Sequence, residues 1–443
     1  MLRGAAPEMT PNEEIEHLDE APEDAAFRTQ AGKWLAEHAP DFRNGAVTVG
    51  PPTTLAEYHE RQGRSVALAR RWQGELADAG WAGISWPVGF GGRGGTVRQE
   101  RIFAEELAGH GVSAGPLLIA LAMVAPTLMA HGSAEQQEVH LPAILRGDEA
   151  WCQLYSEPGA GSDLASLSTR AVREGHGWTV NGQKVWTSLA THADWAILLA
   201  RTNPDRPKHH GISYFLVDMK TPGVEVRPLR EMSGTYHFNE VFLTDVRLPA
   251  DSLVGEVDEG WRIAHTTMAA ERAMIGSGSG SNLDDLFALA RRCGRAEEAR
   301  VRQALARVAI TDHLLRFLAL QAKAEAARGA VPGPGASIMK LLFSIKASQA
   351  AAAALLIQGM AGTLAGPAAP DDGRWQHAFL SAPGLHLGGG TDEVQRNALA
   401  ERVLGLPREP ASDHDLPFRD LAGQPGVNAG PPARRRGGPT WQV

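Results

Sequence analysis

The hydrophobic rhythm of the chain changes twice. From residue 25 to about 148, apolar side chains recur at helical spacing: Phe27, Ala31, Trp34 and Leu35, then Leu68, Trp72 and Leu76, then Ile102, Phe103 and Leu107. A loop over residues 86–95, five of them glycine, interrupts that pattern. From 151 to about 254 the apolar runs are short and β-prone, as in Trp178-Thr179-Val180, Trp195-Ala196-Ile197-Leu198-Leu199 and Ser213-Tyr214-Phe215-Leu216-Val217. Asn181-Gly182 follows the first of these and predicts a hairpin turn there. From 260 to about 406 the chain is rich in Ala and Leu with helical period, as over 310–327 and 338–360.

The pattern predicts an α+β protein in the order helix, sheet, helix: a helical domain over 21–150, a β domain over 151–256 and a helical bundle over 257–406. Residues 1–20 and 407–443 are expected to be poorly ordered ends; Pro407, Pro410, Pro417, Pro425, Pro431 and Pro432 punctuate the second. No repeat at solenoid period is present.

A length of 443 residues with 43% hydrophobic composition allows a large core and two or three domains. The net charge of −8 argues against a nucleic-acid partner, and Arg434-Arg435-Arg436 reads as a solvated end. Two cysteines, Cys152 and Cys293, make no disulfide framework and fit a reducing, cytoplasmic setting. With no apolar run of about 18 residues, no membrane span is expected. The acidic, Pro-containing first residues are unlike a signal peptide.

Two turns carry candidate chemistry. In Tyr155-Ser156-Glu157-Pro158-Gly159-Ala160-Gly161-Ser162-Asp163, glycines let backbone N–H groups approach an anion, and two serines add hydroxyls. A phosphate or a flat ring edge would suit such a loop, and so would a plain tight connection. Gly159 and Gly161 lack the third glycine of a dinucleotide fingerprint, and no βαβ unit follows. The second turn is Lys184-Val185-Trp186-Thr187-Ser188. Further on, Trp261, Ala264, Met268 and Ile275 fall on one helical stripe that also holds Glu271. A carboxylate among apolar neighbours is costly unless paired or used, so Glu271 is either ion-paired to Arg272 or functional. Adjacent His209-His210 point apart in an extended chain, and no Cys/His cluster has zinc spacing, so no metal is expected. No G-x-S-x-G elbow is present. His131 and His386 look structural, and Lys340 and Lys346 look solvated or partner-facing.

Both turns, with Asn181-Gly182 before the second, resemble the flavin-contacting turns of the acyl-CoA dehydrogenase family. The resemblance spans about residues 25–406 and implies the family's fold: an N-terminal helical domain, a central β-barrel-like domain and a C-terminal four-helix-type bundle. It implies FAD as cofactor. Tyr155 and Ser156 would meet the ring edge, Gly161 and Ser162 the pyrophosphate side, Trp186 the ring system, and Ser188 the N5 region. The family builds each site from two subunits. Gln358 and Gly362, in Gln358-Gly359-Met360-Ala361-Gly362, match its adenosine-side motif with Ala361 replacing a glycine, and Thr391 and Glu393 match dinucleotide contacts. The family's Arg followed by Phe at three residues is incomplete here, which leaves Arg291 as a stand-in.

The family's usual catalytic glutamate is replaced by Gly389, which keeps its N–H as an oxyanion donor to the thioester carbonyl. Gly388 and Gly390 leave that edge of the pocket bare, with room for a bulky or branched acyl group. Met268-Ala269-Ala270-Glu271-Arg272 is similar to the isovaleryl, long-chain and bacterial steroid side-chain branches, whose base is a glutamate followed by Arg at this position. Glu271 would then remove the α-proton, and Arg272 would help hold the pocket and the pantetheine end. The implied reaction converts an acyl-CoA to a trans-2-enoyl-CoA, with electrons leaving to an electron-transferring flavoprotein, in a homodimer or homotetramer. Two alternatives stay open: an oxidase or carrier-protein tailoring enzyme on the same fold, and a catalytically silent subunit of a hetero-oligomer.

Overall fold

The early stripes form α1 (Pro22–His38), α2 (Leu55–Asp78) and α3 (Val97–Ala108), which close on a core of Phe27, Leu35, Trp72, Trp81 and Phe103. In this computed structural model residues 21–42, 54–112, 114–276, 283–327, 335–408 and 415–421 are described; residues 1–20 and most of 407–443, expected to be poorly ordered, lie outside them. Thr54 caps α2, and a reciprocal Thr96–Gln99 capping box starts α3. A single π-helical turn, Ala120–Val124, leads into α4 (Ala125–His131) and then α5 (Ala134–Arg146).

The middle of the chain forms one eight-stranded sheet. Its strands are β1 (Trp151–Leu154), β2 (Arg170–Glu174), β3 (Gly177–Ser188), β4 (Trp195–Arg201), β5 (Ile212–Asp218), β6 (Val224–Pro228), β7 (Phe238–Pro249) and β8 (Leu253–Val254), ordered β6-β7-β3-β2-β4-β5-β8 with β1 parallel to β4. β4 and β5 read as unbroken apolar runs because both faces are covered. Leu198 and Phe215 face the barrel-side core, while Ile197, Leu199 and Tyr214 face α4, α5 and the next helix.

The hairpin expected at Asn181-Gly182 is displaced. The β2–β3 turn lies at Gly175-His176, and Asn181 and Gly182 run through the middle of β3. They sit at a β-bulge against β7, where Asn181 exchanges two hydrogen bonds of 3.0 Å with Asp245. A Cβ on Gly182 would lie 2.3 Å from Thr169 Oγ1, so the glycine serves close packing rather than a turn.

The third part holds α6 (Gly260–Gly276), α7 (Leu283–Arg292), α8 (Ala299–Ala327), α9 (Gly335–Gln358), α10 (Arg374–Leu385) and α11 (Asp392–Arg402), packed around Leu286, Leu289, Val301, Leu305, Ile357 and Trp375. Gly335–Thr363 is long and apolar enough to cross a membrane by length and composition, a stretch the sequence reading passed over. It packs against α6, α7, α8, α10 and α11 and carries two buried lysines, which makes it the bundle's central helix. Those lysines correct a second expectation. Lys340 and Lys346 are not solvated: Lys340 pairs with Asp392 at 3.3 Å and Lys346 with Asp312 at 2.5 Å. Within the expected flexible tail, α12 (Phe418–Leu421) docks on the β domain, with the Arg201 guanidinium 3.9 Å over the Phe418 ring.

Candidate active site

The first turn leaves β1 and folds on itself through paired bonds between Glu157 and Ala160, 3.0 and 3.1 Å. Beneath it lies a buried ion pair absent from the sequence expectations. The Lys184 ammonium donates to Glu157 Oε1 and to the Tyr155 carbonyl, both at 2.9 Å. The Glu157 carboxylate also accepts Ser168 N–H at 2.8 Å, Ser168 O–H at 2.9 Å and Thr169 N–H at 2.9 Å. Burial pushes this carboxyl up, but the lysine and these donors outweigh it and hold it at about 2. Val185 N–H closes the junction on the Ser156 carbonyl at 2.9 Å. The two turns are therefore one structural unit.

Two residues on, the register of β3 slips between Lys184 and Thr187, and Trp186 takes a left-handed φ of 63°. Its ring stands 60% exposed, edge-on to Phe238. Gly161 and Ser162 are exposed on the same unit, with open space where a Gly161 Cβ would be. Ser156 and Ser188 are half-buried, Ser188 opposite Phe238. Tyr155 is the exception to this exposure. Its side chain is 5% exposed and points inward, 6.2 Å from Tyr214, with its buried hydroxyl lacking a partner among the described residues.

Glu271 lies on α6, whose Ile263 and Ala264 are fully buried against Trp151, Tyr155 and Tyr214. Trp261 and Met268 of the predicted stripe pack on the same cluster. Burial raises the Glu271 carboxyl above its ordinary range, opposed by the Gln153 side chain and then by Arg272. The same carboxylate adds to the burial that keeps the Tyr155 phenol protonated. Gln153 was missed in the sequence. It stands between Trp151 and Tyr155 on β1, and period-two alternation alone puts all three on the face toward α6. A chain of hydroxyls continues inward, from Tyr214 to Thr267 at 3.1 Å and from Thr267 to Thr127 at 2.9 Å. His131 bonds Thr266 at 2.8 Å, the structural role expected of it.

The glycine loop joins α10 to α11. Gly389 and Gly390 have φ of 67° and 91°, and Gly388 N–H bonds the Gly384 carbonyl at 3.0 Å. Thr391 Oγ1 caps α11 by accepting Val394 N–H, and Glu393 is exposed beside Arg396. Burial, and then the charge of Arg402 at the end of α11, disfavour the protonated forms of His265 and Arg272 of α6.

Gln358 and Gly362 are elsewhere. Gln358 stands ten residues past Ser348 on α9, about 15 Å along the axis. It is buried, and its Nε2 has no partner among the described residues. Left-handed Gly359 ends the helix, with Arg295 capping the Leu356 carbonyl at 2.6 Å. Arg291 is exposed on the last turn of α7. One chain thus brings together the two turns and Glu271, while Gln358 and Arg291 belong to the helical bundle, on α9 and α7.

Family models cover nearly all of this architecture. The acyl-CoA dehydrogenase N-terminal domain matches residues 51–148, the middle domain 152–246 and the C-terminal domain 258–404. The acyl-CoA dehydrogenase IpdE1 of Mycobacterium tuberculosis is 38% identical over 389 residues, covering 86% of this chain and 98% of that one. The chain belongs to the acyl-CoA dehydrogenase family. Acyl-CoA dehydrogenase FadE34 of the same organism is 42% identical over 387 residues, but this chain spans about half of its length, 51%. Among solved structures, the Tcur3481-Tcur3483 steroid ACAD superposes with a TM-score of 0.73 at 29% identity, covering 88% of this chain and 100% of that chain. Members of the family are FAD flavoproteins and oxidoreductases acting on acyl-CoA.

Proposed function

We propose that this acyl-CoA dehydrogenase carries out FAD-dependent α,β-dehydrogenation of an acyl-CoA to the trans-2-enoyl-CoA, with Glu271 as the base. The observation that carries this reading is the half-buried Glu271, its carboxyl raised by desolvation and met by the Gln153 side chain from the strand that feeds the first turn. FAD, when bound, supplies the acceptor for the β-hydride. The chain's residues fit such a group. Trp186 offers an exposed ring, Gly161 and Ser162 offer open backbone, and the Gln358 amide offers an unpartnered buried donor.

Glu271 takes the α-proton; a raised carboxyl is a stronger base toward that weak acid than an ordinary one. Gly389 N–H meets the thioester oxygen as negative charge develops there. Tyr155 contributes its backbone and Ser156 its hydroxyl to the ring edge, Ser188 serves the N5 region, and Thr391 and Glu393 serve the dinucleotide. Arg272 is half-buried beside Glu271 and suits the pantetheine end. The bare edge at Gly388 and Gly390 suits a bulky acyl group, and similarity to a steroid ACAD supports this. We assign an electron-transferring flavoprotein as acceptor and, on two free cysteines, a cytoplasmic location.

Gln358 and Arg291 lie in the helical bundle and not on the β domain that carries the turns, and on this we infer that each site is completed by a second chain in a homodimer or homotetramer. A hetero-oligomer is the second reading, supported by similarity to the ChsE4-ChsE5 complex from Mycobacterium tuberculosis, at 30% identity and a TM-score of 0.69, and by the incomplete Arg291 motif. The test is colour. Purified protein should be yellow, bleach without oxygen on addition of a branched or ring-bearing acyl-CoA, and reoxidise slowly in air. Rapid peroxide formation would favour an oxidase. A colourless protein that gains flavin only with a different second chain would favour the silent-subunit reading.

A further inference from the structure

The glycine loop is braced from two sides. On one side lies a buried polar cluster centred on Asp392. His386 Nδ1 contacts Asp392 Oδ2 at 2.7 Å, and His386 Nε2 contacts the Ser348 hydroxyl at 2.8 Å. The fully buried Lys340 ammonium donates to Asp392 Oδ1 at 3.3 Å and to the His386 carbonyl at 3.2 Å. Ser344 donates to the same Asp392 oxygen at 3.2 Å, and Asp392 N–H returns to the His386 carbonyl at 3.1 Å. The last bond closes the loop into a ring from His386 to Asp392, and Lys340, Ser344 and Ser348 rivet it to one face of α9 at i, i+4 and i+8.

On the other side is Gln395, 2% exposed on α11. Its Nε2 donates to the Gly389 carbonyl at 2.9 Å and to the Gly390 carbonyl at 3.4 Å. A trans peptide sets its N–H opposite its C=O. Fixing the Gly389 carbonyl toward α11 therefore turns the Gly390 N–H away from α11. A side chain cannot enter between: a Cβ on Gly390 would sit 2.7 Å from Gln395 Nε2.

Ser348, His386 and Asp392 share the contact order of a nucleophile, base and orienter. Here the Asp392 carboxylate is already shared among Lys340, Ser344 and the loop histidine. Its donors are consumed in holding backbone, which is the signature of a tether.

We propose that His386 and Gln395 are positioning residues which fix the Gly388–Gly390 backbone so that the Gly389 and Gly390 N–H groups polarise the substrate's thioester carbonyl. The proposal rests on the reading of Gly389 as oxyanion donor and adds Gly390 N–H as a second donor set by Gln395. A loop of three glycines would otherwise sample many conformations, two of its members already left-handed, and a donor that must be reordered in each turnover stabilises developing charge poorly. The brace supplies the missing rigidity.

The test uses a thioester that binds and loses an α-proton but carries no β-hydrogen, phenylacetyl-CoA, labelled with 13C at the carbonyl. Difference infrared spectra read carbonyl polarisation directly, and α-proton exchange in D2O reads its kinetic consequence, both without flavin turnover. In the parent holoenzyme the labelled band should move to lower frequency than in free thioester. With His386→Leu or Gln395→Leu most of that displacement should vanish, and exchange at saturation should slow about tenfold or more, with thioester affinity and flavin content kept. His386→Gln, which can bridge Asp392 and Ser348, should restore most of both. A displaced band in the parent that persists in both Leu variants overturns the brace while leaving the oxyanion donor intact. No displacement in the parent overturns the donor reading itself, and the brace with it.

Discussion

A carboxyl group in this site is pulled two ways, and the balance sets its pH dependence. Burial raises Glu271, while Gln153 and Arg272 favour its charged form. The base works only when ionised, so flavin reduction should rise with pH along a limb above the ordinary glutamate value of about 4.3. Replacing Gln153 with Met removes the donor and leaves the burial. The limb should then move to higher pH by about one unit, with parent and variant rates converging at alkaline pH. Arg272 on the same helix also acts on the carboxyl, the carboxyl in turn helps keep the Tyr155 phenol protonated, and burial, then Arg272 and Arg402, lower His265. All of these are common to both proteins, so they cancel in the comparison. Stopped-flow absorbance across the range measures the limb, and an unmoved limb would remove Gln153 from the base's environment.

The two turns behave as one unit because of a pair at the end of β1 and the middle of β3. Lys184→Met would strand a buried carboxylate, a change that typically costs about 3–5 kcal/mol. The sign with pH follows from Glu157. Its folded-state value, about 2, lies below the ordinary one, so its contribution is complete at neutral pH and is lost as pH falls from about 4 toward 2. Denaturant unfolding should show Lys184→Met far below the parent at pH 7 and nearer to it at pH 3. Adding Glu157→Gln should recover part of the loss. Equal losses at both pH values would deny the pair that role.

Much of this organisation is legible in the chain. Period-3.6 stripes mark α1, α2 and α3, and the Glu271 stripe marks α6, because each buries one face only. The hairpin at Asn181-Gly182 misled, since the pair's turn chemistry also serves a bulge where Thr169 leaves no room for a side chain. Lys184, Lys340 and Lys346 looked solvated or went unremarked, because their acidic partners lie 27, 52 and 34 positions away in sequence. The Tyr155 side chain turns inward for a reason sequence does hold: period-two alternation puts it on the face of Trp151, which packs on the same core.

At the scale of the whole molecule, the proposal that Gln358 of a second chain completes the site makes flavin binding depend on assembly. Helix α8 offers a surface on which that dependence can be tested. Ile310, Leu314, Phe317 and Leu320 are spaced four, three and three apart and are 61, 47, 65 and 43% exposed, an apolar stripe too large to leave to water. Phe317→Glu should shift the species seen by sedimentation velocity to a smaller size and lower flavin content together, although residue 317 belongs to neither turn. A smaller species that retains full flavin would show that one chain suffices to hold it.

The most direct test of the account is anaerobic stopped-flow of Glu271→Gln holoenzyme with an acyl-CoA that the parent oxidises. The variant should fold, remain yellow and bind the thioester, and its flavin absorbance should stay unbleached over times in which the parent is fully reduced. Bleaching at the parent's rate would show that another group removes the proton.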